Sequence, residues 1–404
     1  MKCIPVVVAF VLAFTTGVQA ESLNRADNTG EFVGTLFTGA EQYSNFYRLE
    51  EIFPSDVVHK SSHPVEWPSG KAISLPKEYS YEGRRHLTQD LLSQTETSAL
   101  LIIKNGQVRY EKYWLTGGEE RHWTSMSVAK SFVSALYGIA IADGTLDSIE
   151  DPASKYLPAL KGSAYDGVKL KDILQMSSGV HWDEDYANPD SDIAHLGQVM
   201  ATGSSLLDFV KTLKSELKPG TFNRYCSADT LVLGLVLEAA TGKTLAAYTQ
   251  EKLWAPLGAT QDAYWIKDNF SHTLAFGGYN ATARDYARLG ELYRLNGKFN
   301  GKQIVPASWV RSSVTPDAPH LVPGKRTSSD STMGYGYQWW LPEGQAHDYA
   351  AIGIFNQFIY VNPDHNTVIV KLSASRNYAA TDNESSWREK ETIELFRQIA
   401  QRSD

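Results

Sequence analysis

The sequence has little cysteine, no cluster of basic residues, no internal repeat and no apolar run of membrane-spanning length. It has two cysteines, Cys3 and Cys226, and because Cys3 lies in a predicted signal peptide that is removed, an internal disulfide framework is excluded. The 46 acidic residues outnumber the 38 basic ones, so no phosphate-tracking surface for nucleic acid is expected. The hydrophobic content of 42% nevertheless indicates a globular protein of one large domain or two.

Motifs that bind metals or phosphates are missing as well, and so is the serine motif of a nucleophile elbow. The chain has no His-Glu-x-x-His, no closely spaced cysteines and no Gly-x-Ser-x-Gly, and Gly242-Lys243-Thr244 lacks the upstream glycine of a phosphate-binding loop. We therefore expect neither a metal nor an organic cofactor. An acidic cluster without calcium-loop spacing is predicted to be a solvated loop, and it consists of Asp183, Glu184, Asp185, Asp190 and Asp192.

Residues 1–20 have the pattern of a secretory signal peptide. Lys2 supplies the positive charge, residues 4–14 are apolar, and Val18-Gln19-Ala20 is a small-x-small cleavage site. The apolar stretch is shorter than the roughly 20 residues that a membrane-spanning helix needs. We predict cleavage before Glu21, export to the bacterial periplasm or the medium, and no stable membrane anchor.

The remaining chain divides into regions of different pattern. Residues 21–84 mix prolines and aromatic residues without a strand or helix period, which predicts an irregular N-terminal arm. From residue 85 onward, strands are predicted near both chain ends, with Asn105-Gly106 as a hairpin turn, whereas about 145–330 is mainly helical. This predicts an α+β domain over 85–404, with an antiparallel sheet built from both chain ends, flanking helices and an inserted helical domain. We expect the ligand cleft between these two parts.

Ser127-Val128-Ala129-Lys130 matches the pattern S-x-x-K, in which a serine at a helix start shares a face with a lysine one turn later. Two other segments match equally well, but residues 74–77 contain a proline and residues 215–218 run into Pro219-Gly220, which ends a helix. Only Ser127 precedes a long apolar helical pattern. Two interpretations stay open: a nucleophile with its base, or an N-capping serine followed by a lysine that reaches solvent.

Two further segments are of interest: one has a tyrosine just before a predicted helix, and the other has a glycine in a predicted strand. Tyr225-Cys226-Ser227 lies on a loop before an apolar helix, and Ala351-Ile352-Gly353 is a strand whose glycine permits close approach of a backbone or ligand. Each segment alone is equally compatible with ordinary packing. A group of aromatic residues either lines an acyl pocket or packs in the core, and it comprises Tyr335, Tyr337, Trp339 and Trp340.

Three motifs carry a family resemblance: residues 127–130, 225–227 and 351–353. In this order and at these distances, they resemble those of the serine hydrolases of the class C β-lactamase, penicillin-binding-protein and family VIII esterase group. The resemblance extends over roughly residues 85–400, and residues 173–180 and 278–285 also match. Within the group, residues 125–130, Glu184-Asp185-Tyr186 and residues 353–357 are most similar to the 6-aminohexanoate-dimer hydrolase branch.

The resemblance implies a β-lactamase-like fold and a reaction through an acyl-enzyme. Ser127 would be the nucleophile, Lys130 its base and Tyr225 the proton relay to the leaving group. The backbone N–H groups of Ser127 and Ile354 would form the oxyanion hole. The substrate pocket implied by the resemblance and the aromatic group consists of Tyr186, Ser227, Gly353 and Trp339.

The sequence departs from the group in two places. The third motif of lactamases and peptidases usually supplies a cation that holds a substrate carboxylate, whereas this chain has Ala351 there. Ser227 replaces an asparagine that commonly binds the substrate's acyl amide. We therefore expect a secreted serine hydrolase for a small ester or amide. The alternatives are a β-lactamase or DD-peptidase-like enzyme and a catalytically silent, penicillin-binding-like sensor.

Overall fold

The computed structural model describes residues 41–402 except 116, 345 and 382. The predicted signal peptide, and the arm as far as residue 40, lie outside the described residues. The helices are α1 (Glu41–Asn45), α2 (Leu49–Ile52), α3 (Thr88–Gln94), α4 (Ala129–Ala142), α5 (Ala153–Tyr156), α6 (Leu170–Leu174), α7 (Asp192–Ala201), α8 (Leu206–Thr212), α9 (Ser227–Thr241), α10 (Leu245–Thr249), α11 (Ala283–Arg294), α12 (Ala307–Ser313), α13 (Glu384–Trp387) and α14 (Glu389–Ala400).

The strands lie at both ends of the chain and, in shorter pieces, between them. They are β1 (Ser55–Val58), β2 (Glu78–Tyr81), β3 (Arg84–Leu87), β4 (Thr97–Lys104), β5 (Gln107–Tyr113), β6 (Trp123–Thr124), β7 (Ala263–Ile266), β8 (Tyr279–Ala281), β9 (Lys298–Phe299), β10 (Lys302–Gln303), β11 (Gly334–Tyr335), β12 (Trp340–Leu341), β13 (Tyr349–Gly353), β14 (Gln357–Asn362) and β15 (Thr367–Ser373).

The main sheet has seven strands in the order β11-β12-β13-β14-β15-β4-β5, and each neighbouring pair is antiparallel. Strand β15 pairs with β4, so strands from the two ends of the chain meet as the fifth and sixth strands of the sheet. Both residues of the β4–β5 turn have positive φ, 54° at Asn105 and 74° at Gly106, as the Asn-Gly signal predicts. The predicted α+β fold with a sheet built from both ends is confirmed.

Strand β4 is buried along its whole length because helices cover both faces of the sheet. Since side chains alternate between faces, Leu101 and Ile103 join the larger core, whereas Leu100 and Ile102 pack with Phe396 of α14 in a second core. A strand buried on both faces reads in the sequence as a continuous apolar run rather than as an alternating pattern.

The N-terminal arm is less irregular than predicted. Strand β1 pairs antiparallel with β7 in a small sheet of order β1-β7-β8-β6, and α1 and α2 precede it. Residues 59–77 contain no helix or extended strand. The prediction of a wholly irregular arm over 21–84 is thus wrong for residues 41–58 and 78–84, because elements of four or five residues carry no detectable sequence period.

The region from 145 to 330 contains α5 to α12, and the expectation of a mainly helical insertion holds. It also contributes β7 and β8 to the small sheet, which the sequence pattern did not predict. Helix α7 begins inside the predicted solvated loop, where the Ser191 hydroxyl caps it by accepting from Ala194 N at 3.2 Å. The solvated-loop prediction is therefore wrong for Asp192, the first residue of that helix.

Within the described residues, no single helix combines the length and apolar character needed to cross a bilayer. Residues 227–241 and 245–254 would meet that criterion only as a pair, and they meet at a bend of 79°. Both segments are largely buried in the helical region.

Candidate active site

Ser127 lies in a 3₁₀ turn, Met126–Val128, that leads into the buried helix α4. Met126 has φ +45°, which a residue with a side chain rarely adopts, so the backbone is strained immediately before Ser127. The Ser127 hydroxyl makes no capping bond to the helix. It accepts a hydrogen bond of 2.8 Å from Lys130 Nζ instead. The N-cap interpretation of Ser127 is therefore wrong.

Lys130 is 2% exposed, which excludes a side chain that reaches solvent. Its ammonium group also donates to Phe276 O at 2.9 Å and to Ser227 Oγ at 3.3 Å. Burial lowers the pKa of Lys130 to about 8, although the nearby Glu184, Cys226 and Asp229 oppose that shift. The amine is thus held close to a serine at a pKa near the pH range in which a base must act.

The other two S-x-x-K segments have none of this geometry. Ser74, Lys77, Ser215 and Lys218 are all exposed, and both segments lie outside helices. A serine and lysine three residues apart share a face only where the chain is helical. The structure thus singles out Ser127 from the three matches.

Tyr225 lies on the loop before α9 with its ring 5.0 Å from Lys130 Nζ. Its ring stacks on Trp340, with centroids 5.2 Å apart. Burial raises the pKa of Tyr225 well above its usual value, and an interaction with the Ser127 hydroxyl partly opposes this. Tyr225 is therefore a protonated phenol at neutral pH, placed beside both the serine and the lysine.

Gly353 ends β13 against the turn that carries Ser127. A methyl group at this position would lie 2.8 Å from Ser125 O and 2.9 Å from Ser127 N, closer than real side chains come. Only glycine lets the strand lie this near to the Ser127 backbone. The turn that follows begins at Ile354 and has positive φ at Phe355 (62°) and Asn356 (71°).

The predicted aromatic group divides into two sets. Tyr335 and Trp340 pack with Tyr225, with a Tyr335–Trp340 centroid distance of 4.8 Å. Trp339 is 0% exposed and packs on Tyr293 at 4.5 Å, away from the site. The prediction that Trp339 lines the pocket is wrong, because Trp339 precedes β12 and packs on Tyr293 and Tyr349, whereas Trp340, the first residue of β12, stacks on Tyr225.

Glu184 was missed as a site residue and was predicted to lie in a solvated loop. Its carboxylate accepts hydrogen bonds from Ser227 Oγ (2.6 Å), Ser227 N (3.1 Å), the Tyr186 hydroxyl (2.6 Å) and the indole N–H of Trp182. Ser227, a predicted pocket residue, is 1% exposed and joins Glu184 to Lys130. Tyr186 is 38% exposed at the outer side of this carboxylate. In the sequence, Glu184 lies between Asp183 and Asp185, so no pattern distinguished it from its acidic neighbours as a site residue.

Among residues 41–402 apart from the three omitted positions, no group of three or more His, Cys, Asp or Glu side chains is arranged to hold a metal ion. Arg376, a cation that could be considered in place of the missing one of the third motif, donates to Glu96 Oε1 at 2.8 Å. Ala351 is 2% exposed and faces the core.

An antiparallel sheet from both chain ends, a helical insertion and a serine–lysine pair at the start of a buried helix define the β-lactamase-like class of serine hydrolases. A family model described as Beta-lactamase matches residues 85–392. The chain belongs to this beta-lactamase family, as the resemblance predicts.

Individual relatives make the similarity more specific. The 6-aminohexanoate-dimer hydrolase of Paenarthrobacter ureafaciens is 29% identical over 342 residues, covering 81% of this chain and 84% of that protein. A structure titled "Putative 6-aminohexanoate-dimer hydrolase from Bacillus anthracis" has a TM-score of 0.81 at 24% identity, covering 91% of this chain and 95% of that one. The penicillin binding protein from Bacillus halodurans has a TM-score of 0.59 at 17% identity, with coverages of 78% and 99%.

Proposed function

We propose that this protein is an exported serine hydrolase that cleaves an ester or linear amide bond through an acyl-enzyme on Ser127. The observation that carries the proposal is the 2.8 Å contact between Lys130 Nζ and Ser127 Oγ. Because burial lowers the pKa of Lys130 to about 8, a useful fraction of the amine is neutral near physiological pH and accepts the serine proton. An exposed lysine would be almost wholly protonated under the same conditions.

In the proposed reaction, Ser127 Oγ transfers its proton to Lys130 Nζ and bonds to the substrate's carbonyl carbon. The N–H groups of Ser127 and Ile354 stabilise the negative charge on the carbonyl oxygen. The Tyr225 phenol gives its proton to the leaving alcohol or amine and regains one from Lys130. Water then attacks the acyl-enzyme, its proton passes back through the same groups, and the acid product leaves with Ser127 restored.

The substrate class follows from the charges and rings around Ser127. A cation that holds a substrate carboxylate contributes about 1.5–3 kcal/mol, which is roughly 10- to 150-fold in binding. Ala351 cannot supply one, and Arg376 is occupied by Glu96. Trp340 and Tyr335 beside Tyr225 favour an apolar acyl chain. We therefore propose short acyl esters and linear amides, and weak or no turnover of penicillins.

Kinetics on the purified mature protein test this proposal. We expect kcat/KM for p-nitrophenyl butyrate to exceed that for nitrocefin by at least the roughly 10-fold that the missing cation represents. The 6-aminohexanoate dimer tests the linear amide. An equal or higher value for nitrocefin would favour the β-lactamase alternative. A fluorophosphonate label on Ser127 without turnover of any ester or amide would favour the silent sensor.

Export is proposed on the sequence pattern of residues 1–20. The chain recovered from the periplasm or medium of an expressing bacterium is expected to begin at Glu21. Mass spectrometry that finds Met1 on that chain would contradict the proposal without affecting the catalytic assignment.

A further inference from the structure

Three oxygen atoms accept hydrogen bonds from Lys130 Nζ: Ser127 Oγ, Ser227 Oγ and Phe276 O. When Lys130 acts as a base, only two of them can accept, because the third must face its lone pair. A neutral amine has two N–H groups and one lone pair, whereas the ammonium form has three N–H groups. For the lone pair to face Ser127 Oγ, both N–H groups must be taken by Phe276 O and Ser227 Oγ, which lie 2.9 and 3.3 Å from Lys130 Nζ. Phe276 O is a carbonyl and can only accept. The Ser227 hydroxyl can either accept or donate, so its orientation decides where the lysine lone pair points.

Glu184 determines that orientation. The Ser227 hydroxyl donates to Glu184 Oε1 at 2.6 Å, and the Ser227 backbone N–H donates to Oε2 at 3.1 Å. With its only proton engaged by the carboxylate, the Ser227 oxygen presents lone pairs to Lys130. Trp182 and Tyr186 donate to the same carboxylate, which therefore has little freedom to turn.

We propose that Glu184 is a positioning residue which, through the Ser227 hydroxyl, aims the lone pair of Lys130 at Ser127. This inference rests on the proposed function and adds a role to Ser227, which the sequence had suggested only as a pocket residue. Glu184 does not touch the reacting atoms. It acts by fixing the direction of one hydroxyl, so its loss is expected to lower kcat rather than to weaken substrate binding.

Other charged and titratable groups close to Lys130 are distinct from this relay. Asp229 and Cys226 also raise the pKa of Lys130, but the Asp229 carboxylate accepts from the Tyr165 hydroxyl at 2.9 Å and the Cys226 thiol lies near that same hydroxyl. The Tyr225 ring faces the amine at 5.0 Å. Of these groups, Glu184 is the one bonded to the Ser227 hydroxyl, which contacts Lys130.

The test compares Glu184→Gln, Ser227→Ala and the double variant with the wild type on p-nitrophenyl butyrate across pH. Each single variant is expected to lower the plateau kcat about 10-fold or more, the scale of one charge-assisted hydrogen bond, with KM little changed. The double variant is expected to lose no more than the worse single variant, because both changes break the same relay. Ser227→Thr keeps the hydroxyl and is expected to retain most of the activity.

The pH profile provides a second readout. In the wild type, kcat is expected to rise with pH through a midpoint near 8, where Lys130 loses its proton. In Glu184→Gln this midpoint moves to lower pH, because the negative charge that favours the lysine's protonated form is removed. Glu150→Gln, at an exposed surface ion pair with Lys169, is the matched control and should change neither value.

Three outcomes would overturn the inference: a full plateau kcat in Glu184→Gln, a loss confined to KM, or multiplicative losses in the double variant. The proposed function is tested separately, since loss of activity in Ser127→Ala and Lys130→Arg supports it whatever Glu184 does. Unfolding midpoints measured for each variant identify any loss of kcat that comes from misfolding.

Discussion

Two serine–lysine pairs lie in regions of the molecule that differ in access and in charge. At the start of α4, Lys130 Nζ donates to Ser127 Oγ at 2.8 Å. In the main sheet, Lys371 Nζ donates to Ser373 Oγ at 2.6 Å, and both residues of that pair are 0% exposed. Ser127 keeps 8% exposure and lies beside Tyr225.

The surroundings of the two amines differ as well. Burial lowers the pKa of both lysines, but carboxylates oppose the shift at Lys130, whereas the charge of Arg388 adds to it at Lys371. Lys371 also donates to Asn356 Oδ1 at 2.6 Å and supports the turn after Ile354. A buried lysine beside a serine is thus not by itself a sign of catalysis. Access for a substrate and a pKa near the working pH distinguish the first pair from the second.

Replacing the serine of each pair in turn should give the largest difference in activity between the two pairs. Ser127→Ala is expected to lower kcat/KM on p-nitrophenyl butyrate by about 10⁴-fold or more, because the acyl-enzyme cannot form. Ser373→Ala is expected to keep most activity and to lose about 1 kcal/mol of stability with its hydrogen bond. Ser74→Ala and Ser215→Ala are exposed controls. A fluorophosphonate label on Ser373, or an active Ser127→Ala, would contradict the assignment.

The two lysines provide the second test. Lys130→Arg keeps the charge but cannot give up a proton near neutral pH, so we expect a loss in kcat of about 10²-fold or more. Lys371→Met is expected to lose under about tenfold, the effect of one hydrogen bond supporting the Ile354 turn. Comparable losses in both variants, measured on protein whose folding is verified by circular dichroism, would mean that Lys130 is structural.

The smallest effect concerns stability and pH. Both lysines have a lower pKa when folded than the usual 10.5, so the unfolded chain binds more protons between the two values, and stability rises with pH across that window. For Lys130 the window runs from about 8 to 10.5. In denaturant titrations we compare the free energy of unfolding of Lys371→Met with that of the wild type. The difference should favour the variant more at pH 7 than at pH 10. An advantage that grows with pH would contradict the buried amine.

Some features follow from local sequence because neighbouring residues determine them. The Asn105-Gly106 turn needs positive φ, and residues 127 and 130 share a face wherever the chain is helical. The family resemblance rests on such local segments in a given order. The α+β class follows from strands at both ends and helices between them. For these reasons the sheet, the helical insertion and the Ser127–Lys130 pair were predictable.

Other features depend on residues far apart in the chain, and only the tertiary structure decides them. No local pattern tells which of the adjacent Trp339 and Trp340 contacts Tyr225, because the two-residue strand β12 begins at Trp340 and its pairing with Ala350 joins distant parts of the chain. Glu184 reaches Ser227 across 43 positions, and its acidic neighbours look the same in sequence. By itself the sequence determined the fold class and the serine–lysine pair. Which carboxylate and which ring complete the site was decided by packing, because those contacts join segments that no local pattern connects.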